Sequence, residues 1–283
     1  MDCHTTNSGS TLAGVGSIAL VGHPNVGKSV LFQRLTGQRV IVSNYPGTTV
    51  EVSRSALRDQ PNITLVDTPG VIAFPPKSDD ERVPEQLLLD ESLNAIVQVG
   101  DAKNLRRTLL FTVQLAEMGV PMVLALNMMD EANTRGVVIQ HQKLAERLGL
   151  PIIPTTAIRN QGVKEIDSVL RTITPINLKI SYPQVIEDLV TELSFHIPNA
   201  PISKRAMALL WLSDDKESEQ WLLQHAGSSK VDTLEKILAE AQKSSSLSLS
   251  EIIQNTRLDY IRELADDVLT ESGSHWRGFS ASL

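Results

Sequence analysis

Gly22-His23-Pro24-Asn25-Val26-Gly27-Lys28-Ser29 is the stretch on which the fold turns. It follows a short apolar run, Ser17 to Val21, that reads as a buried strand, and it leads into a helical pattern from about Gly27 to Thr36. Strand, glycine-rich turn and helix in that order make a Walker A phosphate loop. The glycines permit a turn that aims backbone N–H groups at phosphate, and the helix N-terminus adds a favourable dipole. On this reading Gly22, His23, Pro24, Asn25, Val26, Gly27, Lys28, Ser29 and Val30 cradle a nucleotide. Lys28 reaches the β- and γ-phosphates and the Ser29 hydroxyl meets Mg²⁺.

Downstream motifs narrow the nucleotide. Asp67-Thr68-Pro69-Gly70 closes the predicted strand Ile63 to Val66, where Asp67 can hold a water of the metal shell and the Gly70 N–H can meet the γ-phosphate. Alone, such a motif means little, because turns contain it routinely. Asn127-Met128-Met129-Asp130 ends another apolar run. Asp130 can accept two hydrogen bonds from guanine N1 and N2, a donor pair that adenine lacks, while Asn127 braces the base loop to the phosphate loop. Met128 stands where lysine is usual; it keeps a stem to pack on the base and removes the charge, so weaker nucleotide retention is expected.

Thr156 and Ala157 follow the last predicted strand and are expected to offer a backbone N–H to guanine O6. The loop Arg39 to Val50 contains Thr48 and Thr49, either of which can close over Mg²⁺ and γ-phosphate. Val71 follows Gly70 at the position where Ras-type enzymes keep a water-orienting glutamine. An apolar side chain cannot do that work, so hydrolysis is expected to be slow, resting on Lys28, backbone groups, Mg²⁺ and another cation. Asn25 either stabilises its turn or turns its oxygen toward such a cation.

Further strands are predicted at Glu51 to Leu57, Ala95 to Val99, Met122 to Leu126 and Ile152 to Thr155, and helices at Pro84 to Glu91, Leu105 to Met118, Ile139 to Leu148 and Val163 to Ile173. The alternation implies an α/β fold, a Ras-like P-loop GTPase domain over residues 17–174 with a six-stranded, mostly parallel sheet. From Tyr182 the apolar residues recur at helical spacing instead: Val185, Leu189 and Leu193; Met207, Leu210 and Trp211; Leu234, Ile237, Leu238 and Ala241. An all-α bundle of about five helices is expected over 175–271, with Ser244 to Ser246 as a loop and Trp211 and Trp221 in its core. Residues 1–16 read as a flexible tail, and 272–283 as a C-terminal tail.

The net charge of −7 disfavours the nucleic-acid backbone as main partner, because phosphate neutralisation needs a clustered cationic surface. Residues 175–283 carry 10 Lys and Arg against 16 Asp and Glu, so the helical part is the acidic one. That weighs against a stand-alone assembly GTPase acting on ribosome or transfer RNA, which would want a basic appendage. A nucleotide-dependent binding module is the other alternative. The lone Cys3 excludes an internal disulfide and, with only His4 beside it, makes no metal site. No stretch approaches the roughly 18 consecutive apolar residues of a spanning helix.

With those residues placed, the chain resembles the cytosolic N-terminal part of the ferrous iron transport protein B family, from about Ser17 to Asp267. Beyond the motifs above, Asn44-Tyr45-Pro46-Gly47-Thr48-Thr49-Val50-Glu51, Asp79-Asp80-Glu81-Arg82-Val83 and Asp101-Ala102-Lys103-Asn104-Leu105-Arg106-Arg107 carry the resemblance. It implies GTP and GDP as ligands, Mg²⁺, and K⁺ as activator. The family's Mg²⁺-closing threonine falls on Thr49 and its potassium-associated asparagine on Asn25. Asp67-Thr68-Pro69-Gly70-Val71-Ile72 and His23 depart from the family's usual residues. The resemblance further implies a membrane permease after this region, the cytoplasmic face of a bacterial inner membrane, a fragment ending at Leu283, and room for self-association.

Overall fold

The computed structural model describes residues 16–36, 40–176, 178–244 and 248–271. Cys3, His4, Arg39, most of the Ser244 to Ser246 loop, residues 1–15 of the expected N-terminal tail and the C-terminal tail lie outside the described residues; Gly16, expected in the tail, opens β1. The chain begins with β1 (Gly16–Gly22), α1 (Lys28–Leu35), β2 (Ile41–Asn44), β3 (Glu51–Ala56) and β4 (Ile63–Asp67). Next come α2 (Asp79–Asp90), β5 (Ala95–Asp101), α3 (Leu105–Glu117), β6 (Met122–Asn127) and α4 (Met129–Thr134). β7 (Val137–Ile139), α5 (His141–Leu148), β8 (Ile152–Pro154) and α6 (Val163–Leu170) complete the α/β part.

The main sheet has seven strands in the order β2-β3-β4-β1-β5-β6-β8, parallel except where β3 runs against β4 and β2 against β3. β1 is central and its residues Ile18 to Val21 are fully buried, as a strand covered on both faces must be. Its side chains alternate: Ile18 and Leu20 join the layer under α1 and α6, while Ala19 and Val21 join the layer under α2 and α3. The loops after β1, β4, β6 and β8 therefore open at one end of the sheet, the end that binds ligands in such folds.

The expected six strands become seven because β2 escapes a hydrophobic-pattern reading. All four of its residues are exposed, so Ile41 and Val42 gain edge pairing with β3 and no burial. The helix expected from Pro84 starts at Asp79, where three acidic residues in the first turn suit the helix dipole. Ile139 belongs to β7 instead of opening α5.

Five helices follow: α7 (Gln184–His196), α8 (Lys204–Leu212), α9 (Lys216–His225), α10 (Ser228–Ser244) and α11 (Leu249–Val268). Trp211 and Trp221 are buried, as expected. Val185 is not; the buried face of α7 runs through Ile186, Leu189, Val190 and Leu193. A Ser248–Glu251 capping box starts α11, which packs along α3 and α5. At its end β9 (Leu269–Glu271) pairs antiparallel with β7, returning the chain to the α/β part. No described helix is long and apolar enough to cross a membrane.

Candidate functional site

A cleft of about 530 Å³ opens at the C-terminal ends of the parallel strands, a size that suits a small-molecule ligand. Its wall holds His23, Pro24, Asn25, Gly27, Lys28, Ser29 and Val30 from the first loop, Gly70 from the second, Asn127, Met128 and Asp130 from the third, and Thr156 and Ala157 from the fourth. Four segments, separated by up to 135 positions, converge there. Glu131 and Ile158 line the cleft as well, and the sequence reading did not single them out.

Asn127 ties these loops together. Its side-chain amide donates to the Val26 carbonyl at 2.9 Å, and its Oδ1 accepts the Ala157 N–H at 3.0 Å and the Thr155 hydroxyl at 3.3 Å. Gly27, at φ +90°, lies so close that a Cβ would sit 2.4 Å from the Asn127 amide nitrogen. Glycine is required there both for the backbone and for the brace. The second loop is seated equally closely. A Cβ on Gly70 would meet Pro24 at 2.8 Å, and the Val71 N–H donates to the Gly22 carbonyl at 3.0 Å.

Lys28 donates to the Asp67 carboxylate at 3.0 Å and to the Thr68 carbonyl. Burial raises the Asp67 acid above the usual carboxylate range, opposed by Lys28 and by a hydrogen bond with Ser29. Ser29 and Asp67 thus bring hydroxyl and carboxylate oxygens together beside the phosphate loop, a donor set that fits a hard divalent cation such as Mg²⁺. Asn25 is exposed with φ 63°, in a conformation that asparagine tolerates. Asp130 is partly exposed in the cleft, 3.5 Å from the Arg159 guanidinium.

Several expected positions behave differently. The Val26 side chain is buried in the core and its carbonyl accepts the Asn127 amide, so its side chain does not line the cleft. Gly22 lies behind the wall, its carbonyl taken by Val71. The Ala157 N–H is spent on Asn127 and the Thr156 N–H donates to Gln161, so neither is free for a base oxygen in this geometry. Thr49 is outside the cleft. Its loop is the turn of the β2–β3 hairpin, closed by Tyr45 N–H to Val50 and Thr48 N–H to Tyr45, with the Tyr45 side chain buried.

His23 packs its ring edge-on against Phe111, 5.8 Å between centroids, and is almost fully buried with Nε2 unpartnered. Burial, aided by the nearby Arg107 charge, lowers its pKa from 6.5 to about 4. It is a neutral support under the phosphate loop. Val71 is fully buried, which removes it from any contact with attacking water.

Lys103 falls within a stretch that carries the resemblance, and the motif reading gives it no role. The Asp101 side chain caps the short turn Ala102–Asn104, and register pairs Asp101 with Asn127, so Lys103 arrives beside Met128. Its ammonium lies 3.2 Å from the Met128 sulfur and 2.6 Å from the Glu131 carboxylate. Only the strand register could have announced this, because Lys103 and Met128 belong to different loops.

The sequence pattern described as ferrous iron transport protein B matches residues 16–170, and that described as the FeoB cytosolic helical domain matches 182–270. The Fe(2+) transporter FeoB of Staphylococcus aureus is 30% identical over 273 residues, covering 93% of this chain and 40% of the relative. The Fe(2+) transport protein A/Fe(2+) transporter FeoB fusion protein of Porphyromonas gingivalis is 34% identical over 72% of this chain and 26% of its own length. The chain thus spans less than half the length of these relatives.

Among solved structures, the cytosolic domain of L. pneumophila FeoB superposes with a TM-score of 0.76 at 30% identity, covering 90% of this chain and 100% of that one. NFeoB from S. thermophilus bound to GDP.AlF4⁻ and K⁺ gives 0.75 at 29% identity, covering 89% and 99%. With sequence, domain order and fold in agreement over both parts, the chain belongs to the ferrous iron transport protein B family.

Proposed function

We propose that this chain is a GTP-binding and slowly GTP-hydrolysing switch, the cytosolic regulatory part of a ferrous iron membrane transporter. The observation that carries the reading is the Asn127 brace, which holds the base-side and phosphate-side loops in one wall with Asp130 and Lys28 at its two ends. A nucleotide would lie along that wall with its base at Asp130 and its phosphates at Lys28, and the Asp130 carboxylate favours guanine over adenine. The relation to NFeoB bound to GDP.AlF4⁻ and K⁺ supports guanine nucleotide and K⁺ as ligands here.

Mg²⁺ and K⁺ supply positive charge against phosphate oxygens when bound. Ser29 and Asp67 would hold the first, and Asn25 would contribute an oxygen to the second. Lys28 exchanges Asp67 for the phosphates, where its charge stabilises the electron density that builds as the leaving group departs. Gly70, packed against Pro24, lines the same cleft and would offer its N–H to the γ-phosphate, and Thr49 would join when the β2–β3 turn closes on the triphosphate. Residues 17–174 act as the switch, and 175–271 bias its states by docking on α2, α3 and α5. Iron transport enters through the family and belongs to the longer protein.

Calorimetric titration with GTP, GDP and ATP, followed by phosphate release, tests the reading. Guanine nucleotides should bind and ATP should not; equal binding of ATP would overturn it.

A further inference from the structure

We infer that Lys103 is a positioning residue of the base pocket, supplying from the turn after the neighbouring strand the positive charge that Met128 takes out of the Asn127-Met128-Met129-Asp130 loop. The inference rests on the guanine-nucleotide reading. Met128 holds φ 62°, a conformation that methionine rarely adopts, and its side chain lines the cleft. The Lys103 ammonium stands behind that side chain, 3.2 Å from the sulfur, and is itself only 12% exposed. It is anchored at 2.6 Å to Glu131, which also lines the cleft, and at 3.9 Å to Asp101.

The electrostatics give this placement a consequence. Asp130 and Glu131 line one side of a pocket that is to accept a polyanion, and Asp101 adds a third carboxylate beside the Lys103 ammonium. Without Lys103 that side repels the nucleotide and leaves Glu131 free to swing toward it. With Lys103 the ammonium pairs with Glu131 and donates toward the thioether, which fixes the methionine stem as a flat apolar wall for the base. The cation of the base loop is therefore relocated. Weak retention, expected from Met128 alone, does not follow once Lys103 is counted.

Relocation makes a prediction that a packing role does not: the two positions should be interchangeable as a pair and incompatible when both are lysine. Release of a fluorescent GDP analogue, chased with excess GDP, is measured for the wild type, Lys103→Met, Met128→Lys and the double swap. Lys103→Met keeps the stem, removes the charge, and should speed release about tenfold or more, the scale of one charge-assisted hydrogen bond. Met128→Lys alone sets two ammonium groups side by side and should not slow release. The double swap should return to within about threefold of the wild type, a non-additivity expected of directly coupled neighbours. Circular dichroism melting checks that each variant is folded.

Unchanged release from Lys103→Met would overturn the inference, as would additive effects in the swap. A folded wild type that retains no GDP would instead remove the nucleotide reading, and this inference with it.

Discussion

Arg257 of α11 and Glu117 of α3 form an ion pair at 2.9 Å with both side chains almost completely withdrawn from water. Tyr182 completes the group: its hydroxyl donates to Glu117 at 2.8 Å and accepts from the Arg257 Nε at 3.0 Å. The helical part and the α/β part therefore share a buried charge, and that charge is satisfied only while they are docked. Breaking one partner should cost about 3–5 kcal/mol, because the other is left charged in a dry interface. Arg257→Met should lower denaturant stability on that scale. Arg257→Met with Glu117→Leu should recover much of the loss, leaving the Tyr182 hydroxyl as the remaining cost. A double-mutant cycle by urea titration checks both outcomes, and a change under 1 kcal/mol for Arg257→Met would refute the shared-charge account.

Glu85 and Asp215 meet between α2 and α9, where both are buried. Neither Glu85 oxygen has a hydrogen-bond partner, and one Asp215 oxygen is orphaned while the other caps α9 at the Ser218 N–H. A proton between the two carboxyls satisfies both; burial raises both acids, and the Asp215 charge adds to it at Glu85, which lies well above its usual range, while the Ser218 and Glu85 hydrogen bonds oppose it at Asp215. The native state then binds more protons than the unfolded chain, so stability is fully present below the ordinary carboxylate range and falls as pH rises through the raised values. Glu217 adds negative charge, shared with Gln86 at 2.7 Å and Arg82 at 3.5 Å. Glu85→Gln carries a permanent donor. It should melt higher than the wild type at pH 8 and converge with it at pH 5; parallel profiles would show that no proton is shared.

His23 sets the opposite limb. Its pKa falls from 6.5 in the unfolded chain to about 4 under the phosphate loop, so the unfolded state takes up a proton first as pH drops. The stability present above pH 6.5 is lost as pH falls toward 4, about 3 kcal/mol over the full interval. His23→Leu should flatten this acid limb in thermal melts between pH 7 and pH 5. An unaltered slope would place the titrating group elsewhere.

The sequence was most informative where one physical requirement fixes one residue type. Gly27 has to be glycine for its φ and for the Asn127 brace, and Ile18 to Val21 have to be apolar because both faces of β1 are covered. Those constraints made the phosphate loop, the parallel sheet and the helical bundle legible. Contacts between distant segments were not. Lys103 beside Met128, Arg257 with Glu117, and Glu85 against Asp215 each depend on strand register or helix docking, which leave no local periodicity. β2 was missed for a related reason, since an edge strand exposed along its length has no buried face to mark it. Ala157 shows the finer limit: its loop reached the cleft as expected, yet its N–H turned to Asn127, a choice of hydrogen-bond partner that residue type alone does not encode.

Turnover should depend on the monovalent cation through Asn25. Val71 is fully buried, so no side chain at that position organises the attacking water, and stabilisation has to come from charge near the phosphates. Lys28 supplies one such charge; Lys28→Ala should reduce turnover by roughly a hundredfold or more, the scale of losing a preorganised electrostatic contact. A second is available where Asn25 lines the cleft, exposed and in a left-handed backbone conformation that asparagine adopts with little strain. Phosphate release is measured in KCl and NaCl at matched ionic strength, for the wild type and Asn25→Ala. The wild type should be faster in KCl, and Asn25→Ala should lose that preference while still binding GDP, since the proposed base and phosphate roles of Asp130 and Lys28 are left untouched. Equal wild-type rates in both salts would show that Asn25 serves only its turn.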